Sequence, residues 1–262
     1  MITFNSVNFQ IFSIPAYFFC AIIGFVIATS VYIMLMSSKR YDISQSMRIL
    51  FISLLGMVLG AKVFGILTGV YRNIGIGEKI TLRTLLDTGI VFYGGLFGLL
   101  IVFMLCLHSR HFSLDKYALD VLAVCIPLFH SIARIGCFSS GCCYGKCYQG
   151  IFAINYITII NEKIDENIRF PIQLIEALFE FVVFLYLLTL LNSVQWRKKR
   201  LLQRYLILYS SARFMFEFLR GDIRRGIICG ISFSQCISVI IWISFACYYL
   251  KQHIVSKQKG GL

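Results

Sequence analysis

The most unusual residues of this sequence are charged side chains inside stretches that are otherwise apolar. Arg213 and Glu217 lie four residues apart in the apolar segment Leu201–Leu219, and Tyr209 lies four residues before Arg213. On a helix this spacing places all three side chains on one face. A charge in the middle of a membrane helix costs about 2.5–3.5 kcal/mol. The pattern therefore indicates either an ion pair that locks two helices together or a site for a polar ligand.

A second polar block begins at His130 and is rich in glycine. His130 and Arg134 are four residues apart and share a helical face. Gly136, Gly141 and Gly145 permit a compact turn whose backbone can approach a ligand closely. Because a guanidinium group pairs bidentately with phosphate oxygens, Arg134 is a candidate to hold a lipid phosphate. The alternative is that Arg134 snorkels to the lipid headgroups.

Four cysteines crowd the same block: Cys137, Cys142, Cys143 and Cys147. They could pair as disulfides in an oxidising compartment or carry redox chemistry. The adjacent pair Cys142 and Cys143 does not give the C-x₂₋₄-C spacing that is usual for zinc. The sequence therefore predicts no metal at this block.

Glycines also cluster upstream, where Tyr93 is followed by Gly94 and Gly95. Small residues in membrane helices allow close helix packing, which is the simplest interpretation of this cluster. The functional alternative is that the glycines leave room for a lipid beside the Tyr93 hydroxyl.

The composition indicates that membrane helices carry these residues. The chain is 58% hydrophobic and 14% charged, and its formal net charge is +13. The basic residues lie between apolar runs rather than in one patch with interleaved aromatic residues, which argues against a nucleic-acid partner. An all-α integral membrane protein is the predicted fold class.

Hydropathy predicts about seven transmembrane helices in one domain that covers residues 1–262. The predicted spans are Ile11–Met36, Met47–Val70, Thr88–Leu107, Tyr117–Ile135, Ile172–Leu191, Leu201–Leu219 and Cys229–Leu250. The first span is predicted to be uncleaved, because Met1–Phe9 lacks the basic region of a signal peptide.

Basic residues in the short loops predict an N-terminus outside and a C-terminus in the cytoplasm. In this topology Tyr93, Arg134 and Arg213 all fall in the outer part of the membrane, so three distant stretches reach one depth. The long connection Gly136–Pro171 is predicted to form a small extracytoplasmic loop subdomain. Within it, Ile151–Ile160 has the composition of a β-strand.

In their order along the chain, these blocks resemble the bacterial prolipoprotein diacylglyceryl transferases. The resemblance starts near Tyr17 and covers most of the sequence. The matching blocks are Gly60-Ala61-Lys62, Phe92-Tyr93-Gly94-Gly95-Leu96, Arg134-Ile-Gly-Cys137-Phe138, Pro171-Ile-Gln173-Leu174-Ile-Glu176, Tyr209 with Arg213, Glu217 and Arg220, and Gln235 with Ser238.

The chain departs from the family pattern at four positions. Tyr93 and Phe170 stand where the family often has histidine, Cys137 replaces an asparagine, and Cys142 falls where a functional glutamate is common. These departures, together with His130 upstream, resemble a cysteine-rich variant of the family.

The resemblance implies a multi-pass enzyme of the bacterial cytoplasmic membrane. Such an enzyme moves the diacylglyceryl group of phosphatidylglycerol to the lipobox cysteine of a prolipoprotein signal peptide. A thioether forms and glycerol phosphate is released. Membrane lipid and the prolipoprotein are the expected partners, and no cofactor is expected.

The resemblance also implies roles for individual residues. Arg134 and Arg213 are expected to hold the phosphate, and Glu217 to orient Arg213 or to contact a glycerol hydroxyl. The acceptor cysteine must become a thiolate, and either His130 or Tyr93 is expected to accept its proton. The expected substrate-binding residues are Tyr17, Gly94, Gly95, Gly136, Tyr209 and Arg220.

Two other functions remain open from the sequence. A membrane thiol–disulfide oxidoreductase would explain the clustered cysteines, although not Tyr209, Arg213 and Glu217. A catalytically silent homologue that binds lipid would explain the departures from the family pattern.

Overall fold

The chain is mostly helical in a computed structural model that describes residues 2–6, 10–11, 14–77, 79, 81, 91–112, 114–160, 163–193, 200–222, 227–228 and 230–260. Within these ranges the helices are α1 (Ala16–Ser38), α2 (Ile43–Ile76), α3 (Phe92–His108), α4 (Lys116–Ser139), α5 (Ile172–Leu191), α6 (Leu201–Phe216) and α7 (Phe233–Gly260). The strands are β1 (Ile2–Asn5), β2 (Gln10–Ile11), β3 (Ile14–Pro15), β4 (Ile154–Ile160), β5 (Lys163–Arg169), β6 (Ile227–Ile228) and β7 (Ile231–Ser232).

Five of these helices are long and apolar enough to cross a membrane: α1, α2, α4, α5 and α7. Helix α3 is apolar but shorter, with 17 residues. The most apolar part of α4 is 78% buried within the protein, whereas the corresponding parts of the other four are 22–39% buried. Helix α4 is therefore the central helix, and the others expose apolar faces as expected of a helical membrane protein.

Helix ends are set by capping residues that hydropathy does not detect. The Asp42 carboxylate accepts hydrogen bonds from the backbone N–H groups of Ser44 and Gln45 and so begins α2. Gly77 adopts the left-handed conformation, with φ of 69°, and ends that helix. The predicted second span, Met47–Val70, is therefore too short at both ends.

Other predicted boundaries also differ from the structure. Helix α1 begins at Ala16 rather than Ile11, because Ile14 and Pro15 belong to the short hairpin of β2 and β3. Helix α4 continues to Ser139, so Gly136 lies in its last turn and not in the loop that follows. The predicted fifth span agrees with α5 at both ends.

The remaining spans differ mainly at one end. Helix α6 ends at Phe216 and is followed by a 3₁₀ turn, Glu217–Leu219. Helix α7 continues past the predicted end at Leu250. Two predicted starts lie outside the described residues: Thr88–Ile90 of the third span and Cys229 of the last.

Helices α2 and α3 pack through glycines. A Cβ atom on Gly60 would collide with the carbonyl oxygen of Gly94, and one on Gly94 would collide with the carbonyl oxygen of Gly60. Gly56 and Gly98 meet in the same way one turn along. The two backbones therefore touch directly, which small residues permit and larger ones do not.

A three-stranded sheet covers the end of α4. Strand β4 pairs in parallel with β1 and antiparallel with β5. Strand β4 confirms the predicted strand within Ile151–Ile160, although it starts three residues later than that segment. The Tyr156 hydroxyl donates to the carbonyl of Phe138 and its ring packs on Phe4 and Phe138, which fixes the sheet to the last turn of α4.

Candidate active site

Glu176 of α5 lies between two arginines from different helices. Its Oε2 is 2.6 Å from Nη2 of Arg134 in α4, and its Oε1 is 3.3 Å from Nη1 of Arg213 in α6. The three side chains are at most 8% exposed. The two arginines, which the sequence predicted to reach one depth, therefore share one carboxylate.

Glu217 holds Arg213 from the other side. Its Oε2 is 2.7 Å from Nη2 of Arg213, and the same Nη2 donates to Oγ of Ser234 in α7 at 3.3 Å. The helical spacing of four residues brings Arg213 and Glu217 together, as the sequence indicated. Arg213 is thus fixed by groups from α5, α7 and the 3₁₀ turn that follows its own helix.

Arg134 is less completely paired than Arg213. Its Nη2 forms an ion pair with Glu176, but its Nε is buried without a hydrogen-bond partner among the described residues. A buried donor without a partner costs about 1–3 kcal/mol. The Nε of Arg134 is therefore a donor that an anionic ligand can satisfy.

His130 lies beside a second acidic residue of α5. Its Nδ1 lies 3.2 Å from Oε1 of Glu180, and both side chains are almost fully buried. The imidazole ring stacks on Phe92, with 3.8 Å between ring centroids, and meets the Tyr209 ring edge-on at 5.5 Å. This arrangement fixes the ring in place and leaves a carboxylate beside it, as in sites where histidine moves a proton.

Glu180 was not predicted as a site residue from the sequence, and Glu176 was named there only as part of a motif. The two residues are four apart in an otherwise apolar helix, with only 3% and 2% of their surface exposed. This is the same spacing that drew attention to Arg213 and Glu217. The rule applied to α6 would therefore have found them.

Tyr93 and Tyr209 contribute an aromatic wall. Their rings lie 5.1 Å apart, and Tyr209 also contacts Phe92. The Tyr93 hydroxyl forms a hydrogen bond of 2.8 Å with Oγ of Ser238 in α7. Tyr93 therefore joins α3 to α7, whereas His130 faces the ion-pair network.

The glycines after Tyr93 serve helix packing. Gly94 meets Gly60 and Phe64 of α2, and a Cβ on Gly95 would lie 3.3 Å from Cγ of Met57 in the same helix. The room that the sequence offered to a lipid beside Gly94 and Gly95 is filled by α2. These contacts favour the packing interpretation of the two glycines, and their role in substrate binding stays a prediction.

Tyr17 and Gly136 lie together where α1 passes the end of α4. A Cβ on Gly136 would be 2.8 Å from Cβ of Cys20 and 3.3 Å from Cα of Tyr17. The absence of a side chain at Gly136 therefore lets α1 approach α4 closely. Tyr17 is then near enough to Arg134 and to Cys137 to interact electrostatically with both.

Arg220 follows the 3₁₀ turn and anchors the loop after α4. Its Nε and Nη2 bond to the two carboxylate oxygens of Asp222 at 2.8 and 2.7 Å. Its backbone pairs with Gly145, and the N–H of Gly221 donates to the carbonyl of Tyr144 at 2.9 Å. Arg220 therefore joins the end of α6 to the cysteine-containing loop.

The loop after α4 gathers three thiols, which we call the cysteine cluster: Cys137, Cys142 and Cys143. Their sulfur atoms all lie within 4.8 Å of one another. Hydrogen bonds with the thiols of Cys137 and Cys142 hold the pKa of the Cys143 thiol well below its ordinary value, whereas a hydrogen bond with Cys137 raises the pKa of Cys142. Cys147 is exposed and lies outside this cluster.

A small cavity lies at the centre of the ion-pair network. Its volume is about 10 Å³, which is room for about one water molecule. The residues that line it include His130, Arg134, Glu176, Glu180, Tyr209 and Arg213. Any ligand larger than water therefore requires these helices to separate or Glu176 to release an arginine.

A larger, mainly apolar groove of about 800 Å³ is lined by residues of α5, α6 and α7. Phe179 and Val183 of α5 and Leu208 of α6 line the groove, next to Glu180 and Tyr209 of the cavity. Arg200 and Arg204 lie at its far end. The volume falls within the range of about 300–1,000 Å³ that is common for ligand pockets.

Comparison with known proteins agrees with these features. A family model described as prolipoprotein diacylglyceryl transferase matches residues 6–251. The chain is 30% identical over 236 residues to a protein of Clostridium tetani named phosphatidylglycerol–prolipoprotein diacylglyceryl transferase, covering 89% of this chain and 92% of that protein. It is 26% identical to a Clostridium perfringens protein named phosphatidylglycerol–prolipoprotein diacylglyceryl transferase 2, and the match covers 95% of this chain and 94% of that protein. It is 27% identical to a Campylobacter lari protein named phosphatidylglycerol–prolipoprotein diacylglyceryl transferase, and the match covers 95% of each chain.

Proposed function

Because this chain belongs to the prolipoprotein diacylglyceryl transferase family, we propose that it transfers the diacylglyceryl group of phosphatidylglycerol to a cysteine thiol of a prolipoprotein. The products are a thioether and glycerol phosphate. The observation that carries the proposal is the meeting of Arg134 and Arg213 at Glu176, inside a helical membrane protein.

The two arginines form a cradle for the phosphate of the lipid. Arg134 retains the unpaired donor Nε, and both guanidinium groups border the small cavity. A phosphate that enters competes with Glu176 for these donors and gains charge-assisted hydrogen bonds. The same cations stabilise the negative charge that develops on the departing glycerol phosphate.

The apolar groove between α5 and α6 is suited to the acyl tails. Its lining residues Phe179 and Leu208 directly precede Glu180 and Tyr209 of the cavity in the sequence, so a lipid that enters sideways from the bilayer can keep its tails in apolar surroundings. Tails placed there leave the glycerol backbone beside the arginines. This assignment takes the place of the alternative in which the lipid lies beside Tyr93, Gly94 and Gly95.

His130 is the better placed of the two predicted proton acceptors. Its ring borders the cavity and contacts Glu180, whereas the Tyr93 hydroxyl is engaged with Ser238. Glu180 can stabilise the imidazolium that forms when His130 takes the thiol proton. Glu217 orients Arg213 in this proposal, and Tyr17, Gly136, Tyr209 and Arg220 shape the site.

We further propose that all seven helices span the bacterial cytoplasmic membrane, with the N-terminus outside and the C-terminus in the cytoplasm. Lys39 and Arg40 lie at the turn after α1, and Arg200 and Arg204 lie at the start of α6, so this orientation leaves these basic residues in the cytoplasm. Residues 136–171, which include the last turn of α4, the loop after it and the strands β4 and β5, then form an extracytoplasmic subdomain. A lipobox-containing signal peptide reaches the site from that side.

Complementation tests the proposed function. The chain is expressed in a bacterial strain depleted of its own diacylglyceryl transferase, and lipidation of a reporter prolipoprotein is followed by mass spectrometry. We expect the unaltered chain to restore a diacylglyceryl thioether, and an inactive Arg213→Ala variant not to restore it. Stable expression without any lipidation, in the cell and with a lipobox peptide in isolated membranes, would refute the proposal.

A further inference from the structure

The phosphate cradle leaves the cysteine cluster without a role. Cys137 lies in the last turn of α4, and Cys142 and Cys143 follow in the loop. Zinc–sulfur bonds of about 2.3 Å in a tetrahedral site place ligand sulfurs about 3.8 Å apart. The three sulfurs of the cluster, all within 4.8 Å of one another, can therefore reach one metal ion with only small movements.

The loop is folded in a way that brings the sulfurs together. Gly141 adopts φ of 73° and Cys143 adopts φ of 57°. The left-handed conformation costs a residue other than glycine about 1–2 kcal/mol, so Cys143 is held in a conformation that its own backbone does not favour. Without the turn at Gly141, the linear spacing C-x₄-C-C would not converge, which is why the sequence argued against a metal.

Contacts from other elements hold this conformation. The N–H of Cys142 donates to the carbonyl of Cys137 at 3.2 Å, and Nε2 of Gln173 in α5 donates to the carbonyl of Cys142 at 2.9 Å. The segment after Cys143 is anchored by Gly221 on Tyr144. Hydrogen bonds from neighbouring elements thus hold the backbone that carries the ligand sulfurs, and metal sites depend on such outer contacts.

The charge around the cluster suits three thiolates and a divalent ion. Arg134 and Arg220 are both close enough to Cys143 to interact electrostatically with it. Three thiolates on Zn²⁺ carry a net charge of −1, and the two nearby guanidinium groups favour that negative charge although each also pairs with a carboxylate. Soft sulfur ligands select zinc over magnesium or calcium.

We propose that Cys137, Cys142 and Cys143 bind Zn²⁺ and that its fourth position takes the thiol of the acceptor cysteine. Three protein ligands with one open position are typical of catalytic zinc. Cys142 is exposed, so the open position can be reached by a substrate. This inference rests on the proposed function, because it assigns the zinc ion to activation of the acceptor in that reaction.

The reaction balances without any oxidation or reduction. On coordination the acceptor thiol becomes a thiolate, because a thiol bound to zinc is deprotonated, and its proton passes to His130. The thiolate sulfur attacks the carbon of the diacylglyceryl group that is bound to the phosphate oxygen. A C–S bond forms and the C–O bond to the phosphate breaks. The electron pair leaves on the phosphate oxygen, which takes the proton from His130, and the neutral thioether dissociates from zinc.

Metal analysis of the purified protein tests the site independently of activity. The full chain is purified in detergent without chelator, zinc is measured by mass spectrometry, and Co²⁺ is substituted to reveal thiolate charge-transfer bands. We expect one zinc ion per chain and cobalt bands of tetrahedral thiolate coordination. Replacing a residue that only contacts a metal ligand lowers metal affinity about 10–100-fold. Because Cys143 and Cys137 are themselves ligands in this proposal, Cys143→Ser and Cys137→Ser should each lower zinc affinity by at least that factor.

Cys147→Ser is the matched control, because Cys147 lies in the same loop but outside the cluster. It should retain both zinc and the cobalt spectrum. Absence of zinc from the unaltered protein, together with failure to bind added Zn²⁺ or Co²⁺, would overturn the inference. A disulfide among the three cysteines in protein purified without oxidant would also overturn it.

Transfer assays separate this inference from the proposed function. We expect lipid transfer to a lipobox peptide to stop when zinc is removed and to return when Zn²⁺ is added. Transfer that persists in zinc-free protein would overturn the role of zinc and leave the proposed function standing. A zinc-loaded protein that transfers nothing would instead refute the proposed function, and with it the activation of an acceptor thiol.

Discussion

Replacing Arg134 by alanine should remove most of the transfer activity and still leave a protein that folds. Breaking a buried ion pair by removing one partner costs about 3–5 kcal/mol. Glu176 keeps Arg213 at 3.3 Å, so the cost should fall at the low end, about 3 kcal/mol. The predicted fall in the transfer rate is larger than the fall that this loss of folding free energy would cause in a protein that still folds.

The magnitude follows from the charge that Arg134 places beside the phosphate. Two unit charges about 4 Å apart interact with about 4 kcal/mol at an effective dielectric constant of 20. Loss of a single donor to a developing anion lowers kcat by about 10²–10³-fold in other enzymes. We therefore expect Arg134→Ala to lower the transfer rate by about 10²–10³-fold, and Arg134→Lys to recover part of that loss.

The assay measures initial rates of diacylglyceryl transfer to a lipobox peptide in membranes that contain equal amounts of folded protein. Size-exclusion chromatography in detergent reports the folded fraction of each variant. Arg110→Ala is the matched control, because Arg110 is an exposed arginine outside the site. A folded Arg134→Ala protein with the rate of the Arg110→Ala control would refute the phosphate cradle.

Two further predictions concern the second acidic residue of α5 and the helix interface. Glu180→Gln keeps the shape of the side chain but removes the acidic group beside His130, so we expect kcat to fall by about 10²–10⁴-fold with little change in KM for phosphatidylglycerol. An unchanged kcat would exclude His130 as a proton acceptor that depends on Glu180. Gly94→Ala should lower stability by about 1–3 kcal/mol because its Cβ meets the Gly60 backbone. The nearest atom to a Cβ on Gly95 is Cγ of the flexible Met57 at 3.3 Å, so Gly95→Ala should be tolerated. Thermal unfolding in detergent measures both glycine variants, and equal stability of the two would contradict the packing described for α2 and α3.

Much of the ion-pair network could be predicted from the sequence because it depends on the spacing of residues within single helices. Arg213 and Glu217 follow the four-residue helical rule inside an apolar run, and the alternation of spans brings Arg134 to the same depth. Glu180 obeys the same rule and could have been predicted. The identity of Glu176 as the shared partner could not, because it depends on the rotation of three helices about their axes.

The cysteine cluster and the glycine contacts depend on tertiary structure. The turn at Gly141 and the left-handed backbone of Cys143 decide that three sulfurs meet, and no linear spacing reveals that. The helix that fills the space beside Gly94 comes from a separate segment, so the sequence left both interpretations open. The predicted helix ends were wrong where a capping group such as Asp42, which hydropathy does not detect, sets the end of the helix.

The central claim is that Arg134 and Arg213 bind the phosphate of phosphatidylglycerol. The most direct measurement is equilibrium binding of phosphatidylglycerol, and of diacylglycerol without the phosphate, to the purified protein in nanodiscs of zwitterionic lipid. We predict that Arg134→Gln weakens phosphatidylglycerol binding by at least about tenfold, which corresponds to about 1.4 kcal/mol, and leaves diacylglycerol binding unchanged. Equal loss for both lipids, or no loss for either, would contradict the account.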